Sequence, residues 1–476
     1  MQLTGNEYAN AVAIFRKTVT LDSNHVPSIH NLGKALYFLG DVSESVRQFR
    51  RAFALGDSDL PLSAEATIIP SDPLADNKSI SEIRRSWGKI LSDKNNNQKT
   101  KGNFELTQKD HLCIGYVSSF FHKKNWMKPV WGLINNHNRD KFKIFLFSDA
   151  PESKIKGYDK HPLDRFYDIT SLSNSEVAEL IVQKDIDILI DLNGYSCIER
   201  LPLLVNKPAP VIIGWFNMYA TSGLACYDYI IGDKHVIPIE EEKWYGEKII
   251  RIPGSYLTFN VTYPVPEISP PPCLTHGYIT FGSLSSLYKI TGEVIKTWSS
   301  ILLRSPTSRL LIKNAQLESP GNRSYILDKF AFFGVSEDRI ELEGPSEHYD
   351  FLRKYDEIDI ALDTFPYNGG TTTTEALWQG VPVITFYGDR WVSRTGSSIL
   401  KTARLEEFVC YDIKDYIEKA VQLAESKKTP NVLCNLRFSM RTFLKNSPIC
   451  DTTTFTEDME RIYRNIWDYK IESNTG

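Results

Sequence analysis

The sequence of 476 residues lacks the features that mark several classes of protein. Its seven cysteines form no C-x-x-C pair and its nine histidines show no metal-ligand spacing, so we expect no metal site. No apolar run approaches the roughly 18 residues of a membrane helix, and the N-terminus has no signal-peptide pattern. The net charge of −4 gives no positive field for nucleic acid or membranes. We therefore expect a cytoplasmic protein, as the widely spaced, odd number of cysteines also suggests.

The composition is that of a globular protein, with 42% hydrophobic and 24% charged residues. A chain of this length predicts about three domains rather than one core. Changes of pattern along the chain divide it into residues 1–56, 57–110, 111–262, 275–440 and 441–476.

Residues 1–56 contain a repeat with a period of 34 residues, in which Phe15 and Leu21 recur as Phe49 and Leu55. This spacing predicts paired helices of the tetratricopeptide-repeat type. So few repeats bury little core of their own, and the segment must either dock on later residues or end a longer array. Two roles are open, a surface that binds a partner or substrate and a brace for the rest of the chain.

Residues 57–110 are polar and read as a linker that contains one helix near 79–92. After them, apolar runs alternate with helical patterns, first over 111–262 and again over 275–440. The predicted strands span 112–117, 142–147, 186–192, 211–215, 278–282, 309–312, 340–342, 358–363 and 382–386. Such alternation predicts two α/β lobes of the doubly wound, Rossmann-like kind, with ligands at the carboxyl ends of the strands. The tail, 441–476, contains an amphipathic helix that we expect to pack back on these lobes.

The stretch 358–382, IDIALDTFPYNGGTTTTEALWQGVP, contains the most specific local pattern. It predicts a strand that ends at Asp363, a glycine-containing loop, four threonines, and a helix from about residue 373. The N-terminus of a helix attracts anions, glycines allow close approach, and hydroxyl groups donate hydrogen bonds. We expect a phosphate-binding site formed by Asn368, Gly369, Gly370, Thr371, Thr372, Thr373, Thr374 and Glu375. The alternative is an ordinary loop in which the threonines only cap the helix.

Several motifs together resemble the catalytic region of O-linked N-acetylglucosamine transferases and their SPINDLY-like relatives. They occur in the same order over about residues 111–470, and tetratricopeptide repeats precede that region in the family as well. The motifs are GYVSSFF (115–121), DLNGY (191–195), KPAPV (207–211), WFNMYATSG (215–223), LYKI (287–290) and LDTFPYNGGTTTTEALWQGVPV (362–383). The resemblance implies the two-lobed GT-B fold. It also implies inverting, metal-independent transfer of N-acetylglucosamine from UDP-N-acetylglucosamine to a Ser or Thr hydroxyl of a protein, without a cofactor.

The resemblance also implies roles for residues of the second lobe. Lys289 matches the family's diphosphate lysine, and Thr371 and Thr372 match the threonines that contact the diphosphate. Glu375 stands at the position of the acidic residue on the ribose. Ser286 and His348 complete the expected donor site, although Phe351 replaces a histidine that is common on the segment that holds the base.

The loop after the first strand departs from the family pattern. It reads SSFFHKKNWMK, so that Phe120 replaces an acidic residue and Lys124 aligns with the active-site histidine. His122 lies two residues away and could replace that histidine as a base near neutral pH. The alternative is a basic loop tip that only attracts phosphate. The residues expected on the acceptor and sugar side, by position only, are Tyr195, Tyr219 and Thr221.

Three other functions remain open from the sequence. Two belong to the same class, namely O-fucosyl transfer from GDP-fucose, as in SPINDLY-like proteins, and glucosylation of protein Asn. The third is a repeat-containing protein that binds a nucleotide and a partner without catalysis, which the altered loop at 120–124 would explain. A peptide acceptor could reach any of the enzymes through the repeat segment.

Overall fold

The structure is a computed structural model that describes residues 6–56, 58–95 and 104–475. The chain divides into two compact units. The first contains Met1–Asp76 and Tyr263–Ser447, and the second contains Asn77–Thr262 and Pro448–Gly476. Among the described residues, none of the helices combines the length and apolarity that crossing a bilayer requires.

Helices and strands follow one another along the chain with short connections. The helices are α1 (Tyr8–Leu21), α2 (Val26–Phe38), α3 (Val42–Leu55), α4 (Leu60–Ile68), α5 (Asn77–Asn95), α6 (Lys128–Asn136), α7 (Asn174–Gln183), α8 (Leu201–Val205), α9 (Cys273–His276), α10 (Gly292–Arg304), α11 (Pro320–Phe332), α12 (His348–Arg353), α13 (Thr371–Trp378), α14 (Thr395–Thr402), α15 (Ile413–Glu425), α16 (Thr429–Lys445) and α17 (Thr452–Thr475). The strands are β1 (Leu112–Ser118), β2 (Phe142–Ser148), β3 (Arg165–Asp168), β4 (Ile188–Asp191), β5 (Val211–Gly214), β6 (Tyr229–Gly232), β7 (Lys248–Arg251), β8 (Thr280–Ser283), β9 (Arg309–Lys313), β10 (Ile340–Glu343), β11 (Ile360–Leu362), β12 (Val383–Phe386) and β13 (Val409–Cys410).

The N-terminal helices of the first unit pack one on the next, as the period of 34 residues predicts. Phe15 on α1 and Phe49 on α3 occupy equivalent positions and are both buried. Gly33 on α2 faces the Phe49 ring so closely that an added Cβ would lie 2.7 Å from it. The glycine therefore allows α2 and α3 to approach each other.

Each unit contains one parallel sheet. The sheet of the second unit has the order β3-β2-β1-β4-β5-β6-β7, and that of the first unit has the order β10-β9-β8-β11-β12-β13. These orders place β1, β4, β8 and β11 in the interior of their sheets, where helices cover both faces. The carboxyl ends of these interior strands lead into the loops that carry the expected site residues.

Nine of the described strands lie where an apolar run predicts them, and four others were not predicted. The four are β3, β6, β7 and β13. Three of them form sheet edges, where β3 (RFYD) and β7 (KIIR) are partly exposed and too short to show a clear apolar run. The helices α15 and α16 were also missed.

The C-terminal residues divide between the two units after Ser447. Helix α16 packs on α13 in the first unit, whereas α17 packs on α6 in the second unit. The predicted amphipathic helix is confirmed by α17, whose Met459, Tyr463 and Trp467 are buried. The hydroxyl groups of Tyr463 and Tyr116 lie 3.2 Å apart, which ties α17 to β1.

Candidate functional site

Asp363 follows β11 directly and organises the loop before α13. Its Oδ1 atom accepts hydrogen bonds from the N–H of Gly369 at 2.6 Å and from the N–H of Thr364 at 2.9 Å. Its Oδ2 atom accepts from the Thr385 hydroxyl at 2.7 Å. The loop therefore closes around one buried carboxylate, and its two ends are held together by backbone donors.

Asn368 holds the same loop from its other side. Its Nδ2 donates to the Thr364 carbonyl at 2.8 Å, and its backbone N–H donates to the Val392 carbonyl at 3.0 Å. Its Oδ1 accepts a hydrogen bond from the N–H of Gly396 at 3.3 Å. The residue is 1% exposed, so these bonds are made in the interior of the unit. Asn368 is therefore a framework residue of the loop, and its backbone carbonyl can accept from a further donor.

The four threonines after the loop form the first turn of α13, which begins at Thr371 and not near residue 373 as the sequence suggests. Gly370 has no side chain to cap this turn, so the first N–H groups of the helix face the loop. A Cβ added to Gly369 would lie 2.6 Å from the Thr372 hydroxyl and 2.7 Å from the Thr373 hydroxyl. The glycine thus leaves room above two hydroxyl groups and a helix N-terminus, an arrangement that suits an anion.

The threonines are not equivalent. Thr371 and Thr372 are half-buried, whereas Thr373 and Thr374 are buried. The Thr374 hydroxyl donates to the Thr371 carbonyl at 2.8 Å, which commits it to the helix. Thr371 and Thr372 are therefore the pair that a ligand can reach.

Lys289 ends a short 3-10 turn, Leu287–Lys289, that follows β8. Its Nζ donates to the Asn368 carbonyl at 2.9 Å and lies 3.9 Å from the centre of the Tyr367 ring. Burial lowers the pKa of Lys289 to about 8, although the Asp363 carboxylate acts in the opposite direction. Burial raises the pKa of Asp363 to about 6, against its hydrogen bonds and the charge of Lys289. The two groups form a coupled pair of opposite charges beneath the loop.

Glu375 lies within α13 and is 4% exposed. Its Oε1 atom is 3.7 Å from the Nε2 of His348, at the start of α12. The His348 ring meets the Tyr263 ring edge-on, with centroids 5.4 Å apart, and is parallel to the Phe351 ring at 6.2 Å. The structure thus brings Glu375 and His348 together, beside an aromatic cluster. Ser286 lies one turn before Lys289 and accepts its N–H through the backbone carbonyl at 3.0 Å.

One group of carboxylates among the described residues is close enough to hold a metal ion, namely Glu341, Glu343 and Glu357. The Nζ of Lys354 lies 2.6 Å from Glu343 and 2.7 Å from Glu357. Despite burial, these hydrogen bonds raise the pKa of Lys354. The lysine therefore supplies the positive charge that this group of carboxylates requires.

In the second unit, the loop after β1 carries His122 and Lys124. The N–H of Ser119 donates to the Asn193 Oδ1 at 2.7 Å, which joins this loop to the one after β4. His122 is half-buried, and burial together with Lys123 and Lys154 lowers its pKa. A neutral imidazole at pH 7 follows, which suits a proton acceptor. Lys124 is also half-buried.

The segment 215–223 after β5 has an unusual backbone. Phe216 and Tyr219 have φ angles of 77° and 56°, in the left-handed region that aromatic residues rarely adopt. The Nδ2 of Asn217 donates to the Leu192 carbonyl at 2.8 Å, and the Thr221 hydroxyl donates to Glu247 at 2.7 Å. Surrounding contacts therefore hold a strained segment at the carboxyl edge of the sheet, as is common at functional sites.

The three residues expected on the acceptor side differ in accessibility. Tyr195 is 4% exposed, and its hydroxyl donates to the Ser222 carbonyl at 2.7 Å. Thr221 is 2% exposed, whereas Tyr219 is half-buried. Tyr195 and Thr221 thus support segment 215–223 from inside, and Tyr219 is the residue that faces outward.

Arg84 on α5 is a contributor that the sequence reading missed. Its Nη1 donates to the carbonyls of Met218 at 3.0 Å and Thr221 at 2.9 Å, and its guanidinium lies 3.9 Å from the centre of the Tyr195 ring. A signal was present, because Arg84 shares one helix face with the apolar Ile80, Trp87 and Leu91. A charged residue on such a face must find buried partners.

Comparison with known proteins places these observations in a family. The model of Glycosyl transferase family 41 matches residues 89–264 and 273–459. The chain belongs to this family. Among solved structures, a lysine-to-methionine mutant of the Thermobaculum terrenum O-GlcNAc transferase is similar, with a TM-score of 0.87 and 29% identity over 98% of this chain and 89% of that chain. The expected fold, two GT-B lobes preceded by helices, is thereby confirmed.

Several curated relatives of this family 41 chain come from plants. The probable UDP-N-acetylglucosamine–peptide N-acetylglucosaminyltransferase SPINDLY of Solanum lycopersicum is 31% identical over 392 residues, which cover 81% of this chain and 42% of the relative. The protein SEC of Arabidopsis thaliana, named for the same probable activity, is 28% identical and matches 78% of this chain and 38% of its own length. The chain thus spans about two fifths of the length of these relatives.

Proposed function

We propose that this family 41 protein is a glycosyltransferase that moves N-acetylglucosamine from UDP-N-acetylglucosamine to a Ser or Thr hydroxyl of a protein. The observation that carries the proposal is the position of Lys289, whose ammonium group is fixed on the Asn368 carbonyl just before the uncapped N-terminus of α13. A positive group and a helix N-terminus together match a diphosphate. The names of the similar proteins support the choice of donor and acceptor.

The reaction would proceed by direct displacement with inversion. The acceptor oxygen attacks the anomeric carbon, and the bond from that carbon to the diphosphate oxygen breaks. The bonding electrons leave with UDP, whose growing charge Lys289, Thr371 and Thr372 stabilise. Because these groups supply the stabilisation, the proposed mechanism needs neither a metal ion nor a cofactor. The acceptor proton passes to a base, for which we propose His122 in preference to Lys124, because the pKa of His122 is lowered.

The other donor contacts belong to the same proposal. Glu375 would accept hydrogen bonds from the ribose hydroxyls, and the rings of His348 and Phe351 would contact the base. The acceptor would be a protein or peptide, which the N-terminal helices could help to recruit. We propose the cytoplasm as the location, since the seven cysteines, all of them among the described residues, form no disulfide bond with one another.

The experiment that tests the proposal measures UDP release from UDP-N-acetylglucosamine with a peptide acceptor. We expect Lys289→Met to lower turnover by about 100-fold or more, the usual loss when one stabilising donor is removed. The matched control is Lys296→Met, which removes an exposed lysine of α10 and should leave turnover unchanged. Equal turnover of the Lys289 variant and the wild type would refute the role assigned to Lys289.

A second candidate, O-fucosyl transfer from GDP-fucose, is favoured by one observation. Phe351 stands where the family commonly has a histidine, and it stacks with His348 rather than offering a polar group to the base. Calorimetry with UDP and GDP separates the two donors, because only the correct nucleotide should bind tightly. If the protein binds a nucleotide but transfers no sugar to any of a broad set of acceptor peptides, the non-catalytic alternative would be favoured instead.

A further inference from the structure

The turn between α2 and α3 in the helical segment lies directly against the 3-10 turn that carries Lys289. Gly40 in this turn has a φ angle of 83°. A Cβ added to Gly40 would lie 2.3 Å from the Ile290 carbonyl oxygen and 3.2 Å from the Leu287 carbonyl oxygen. The helical segment therefore contacts the backbone on both sides of Lys289, and only glycine allows this approach.

A row of aromatic rings continues this contact to the ammonium group. Tyr37, at the end of α2, stacks on Tyr288 with centroids 5.1 Å apart. Tyr288 in turn meets the Tyr367 ring edge-on at 5.8 Å, and the Nζ of Lys289 lies 3.9 Å from the centre of the Tyr367 ring. The three rings thus connect a helix of the repeat segment with the residue that carries the proposed catalysis.

Other contacts hold the helical segment on the same unit independently of Tyr37. The Asp41 carboxylate accepts hydrogen bonds from the Tyr325 hydroxyl and from Lys329, both on α11. The N–H of Ala9 donates to the Asn322 side chain at 3.0 Å. Removal of the Tyr37 ring should therefore leave the segment docked, so that a local effect on Lys289 can be observed.

We propose that Tyr37 and Gly40 are positioning residues, which hold the turn Leu287–Lys289 so that the Lys289 ammonium group stays on the Asn368 carbonyl. This inference rests on the proposed function of Lys289. A single 3-10 turn has weak internal hydrogen bonds and depends on outside contacts for its geometry. Small displacements of a catalytic group are costly, since about 1 Å can lower a rate by about 100-fold. The helical segment is thus a structural part of the donor-binding unit.

The test measures how fast Lys289 reacts with acetic anhydride at a series of pH values, in the full chain, with mass spectrometry as the readout. We expect Tyr37→Leu to loosen the turn, to admit water, and to move the midpoint of Lys289 labelling toward that of an exposed lysine. The midpoint should rise from about 8, so that the fraction of neutral Lys289 at pH 8, read from this pH series, falls by about threefold or more. Tyr37→Phe keeps the ring and should behave as the wild type. Phe53→Leu makes a similar change on α3, where the side chain is 39% exposed, and should have no effect.

Sugar transfer gives a second readout for the same variants. We expect Tyr37→Leu to lower kcat about tenfold while KM for the peptide stays unchanged. Gly40→Ala, which acts through the backbone, should change labelling in the same direction and covers the case in which Tyr37→Leu does not fold. Labelling of Lys289 does not require sugar transfer. If the wild type transferred no sugar, the proposed function would be refuted, and the labelling experiment would still test whether Tyr37 positions Lys289. Unchanged labelling in Tyr37→Leu, or an equal change in Phe53→Leu, would overturn the inference.

Discussion

Replacement of Asp363 by Asn removes one charge from the coupled pair while it preserves shape. The Asn oxygen can still accept from the N–H groups of Gly369 and Thr364, and the new amide group can donate to the Thr385 hydroxyl, which then acts as acceptor. The loop should therefore keep its conformation. What disappears is the negative charge that keeps Lys289 protonated.

The size of the effect follows from the pKa of Lys289, which is about 8. In the proposed mechanism only the ammonium form stabilises the leaving group, so activity should fall as the pH rises through this value. Without Asp363 we expect the pKa to fall by about one unit or more, which corresponds to about 1.4 kcal/mol. The charged fraction at pH 8 then drops from about one half to about one tenth, and the rate about fivefold. At pH 6 both forms of the protein keep Lys289 charged, and their rates should be nearly equal.

The assay is the pH profile of kcat/KM for UDP release. Its alkaline limb should lie near pH 8 in the wild type and about one unit lower in Asp363→Asn. Tyr416→Phe is the matched control, because it removes the hydrogen bond to the Asp363 carbonyl oxygen and leaves the carboxylate in place. This control should cost about 1 kcal/mol of stability and should not move the limb. An unchanged limb in Asp363→Asn would refute the coupling, and so would an equal movement in the control.

Three further outcomes are expected. Gly369→Ala places a methyl group against the hydroxyls of Thr372 and Thr373. It should weaken UDP binding, measured by calorimetry, about tenfold or more. Unchanged affinity would exclude this space as the phosphate site. Arg84→Met loses two buried hydrogen bonds of a charged group. It should lower the free energy of unfolding, measured with denaturant, by about 3 kcal/mol. A loss below about 1 kcal/mol would contradict the stabilising role of Arg84. His122→Asn should abolish the acid limb of the pH profile of the rate. In the wild type this limb should lie below pH 6.5, because the pKa of His122 is lowered and the ring is neutral above that pH. An acid limb that persists in the variant would show that another residue is the base.

The fold was accessible from the sequence because its main signals are local. Buried parallel strands are short apolar runs, and helices repeat their apolar residues every three or four positions, so both can be recognised without the rest of the chain. The strand, loop and helix around Asp363 were found in this way. The edge strand β3 was missed because it is partly exposed to solvent and its sequence, RFYD, contains no apolar run.

The details of the site depend on contacts between distant parts of the chain, which local patterns do not contain. Asp363 was read as the end of a strand, and its role as acceptor for Gly369 and partner of Lys289 required the folded loop. Tyr37 is far from Lys289 in sequence and is connected to it through the rings of Tyr288 and Tyr367. Such contacts arise from the packing of whole elements, and a single sequence offers no pattern for them.

The charges of Lys289 and Asp363 make the proposed donor site unfavourable for stability in the pH range where it should work. Folding lowers the pKa of Lys289, so the folded protein favours the neutral form of this side chain. The free energy of unfolding therefore decreases as the pH falls from the ordinary value of 10.5 to about 8. Folding raises the pKa of Asp363, so the folded protein favours the neutral form of this side chain as well. The free energy of unfolding therefore decreases as the pH rises from the ordinary value of 3.8 to about 6. Between about pH 6 and 8 both groups are charged and both desolvation costs remain. In the proposed function a bound diphosphate would offset the cost of Lys289, since it would place negative charge beside the ammonium group. The buried pair is therefore better explained by anion binding than by folding.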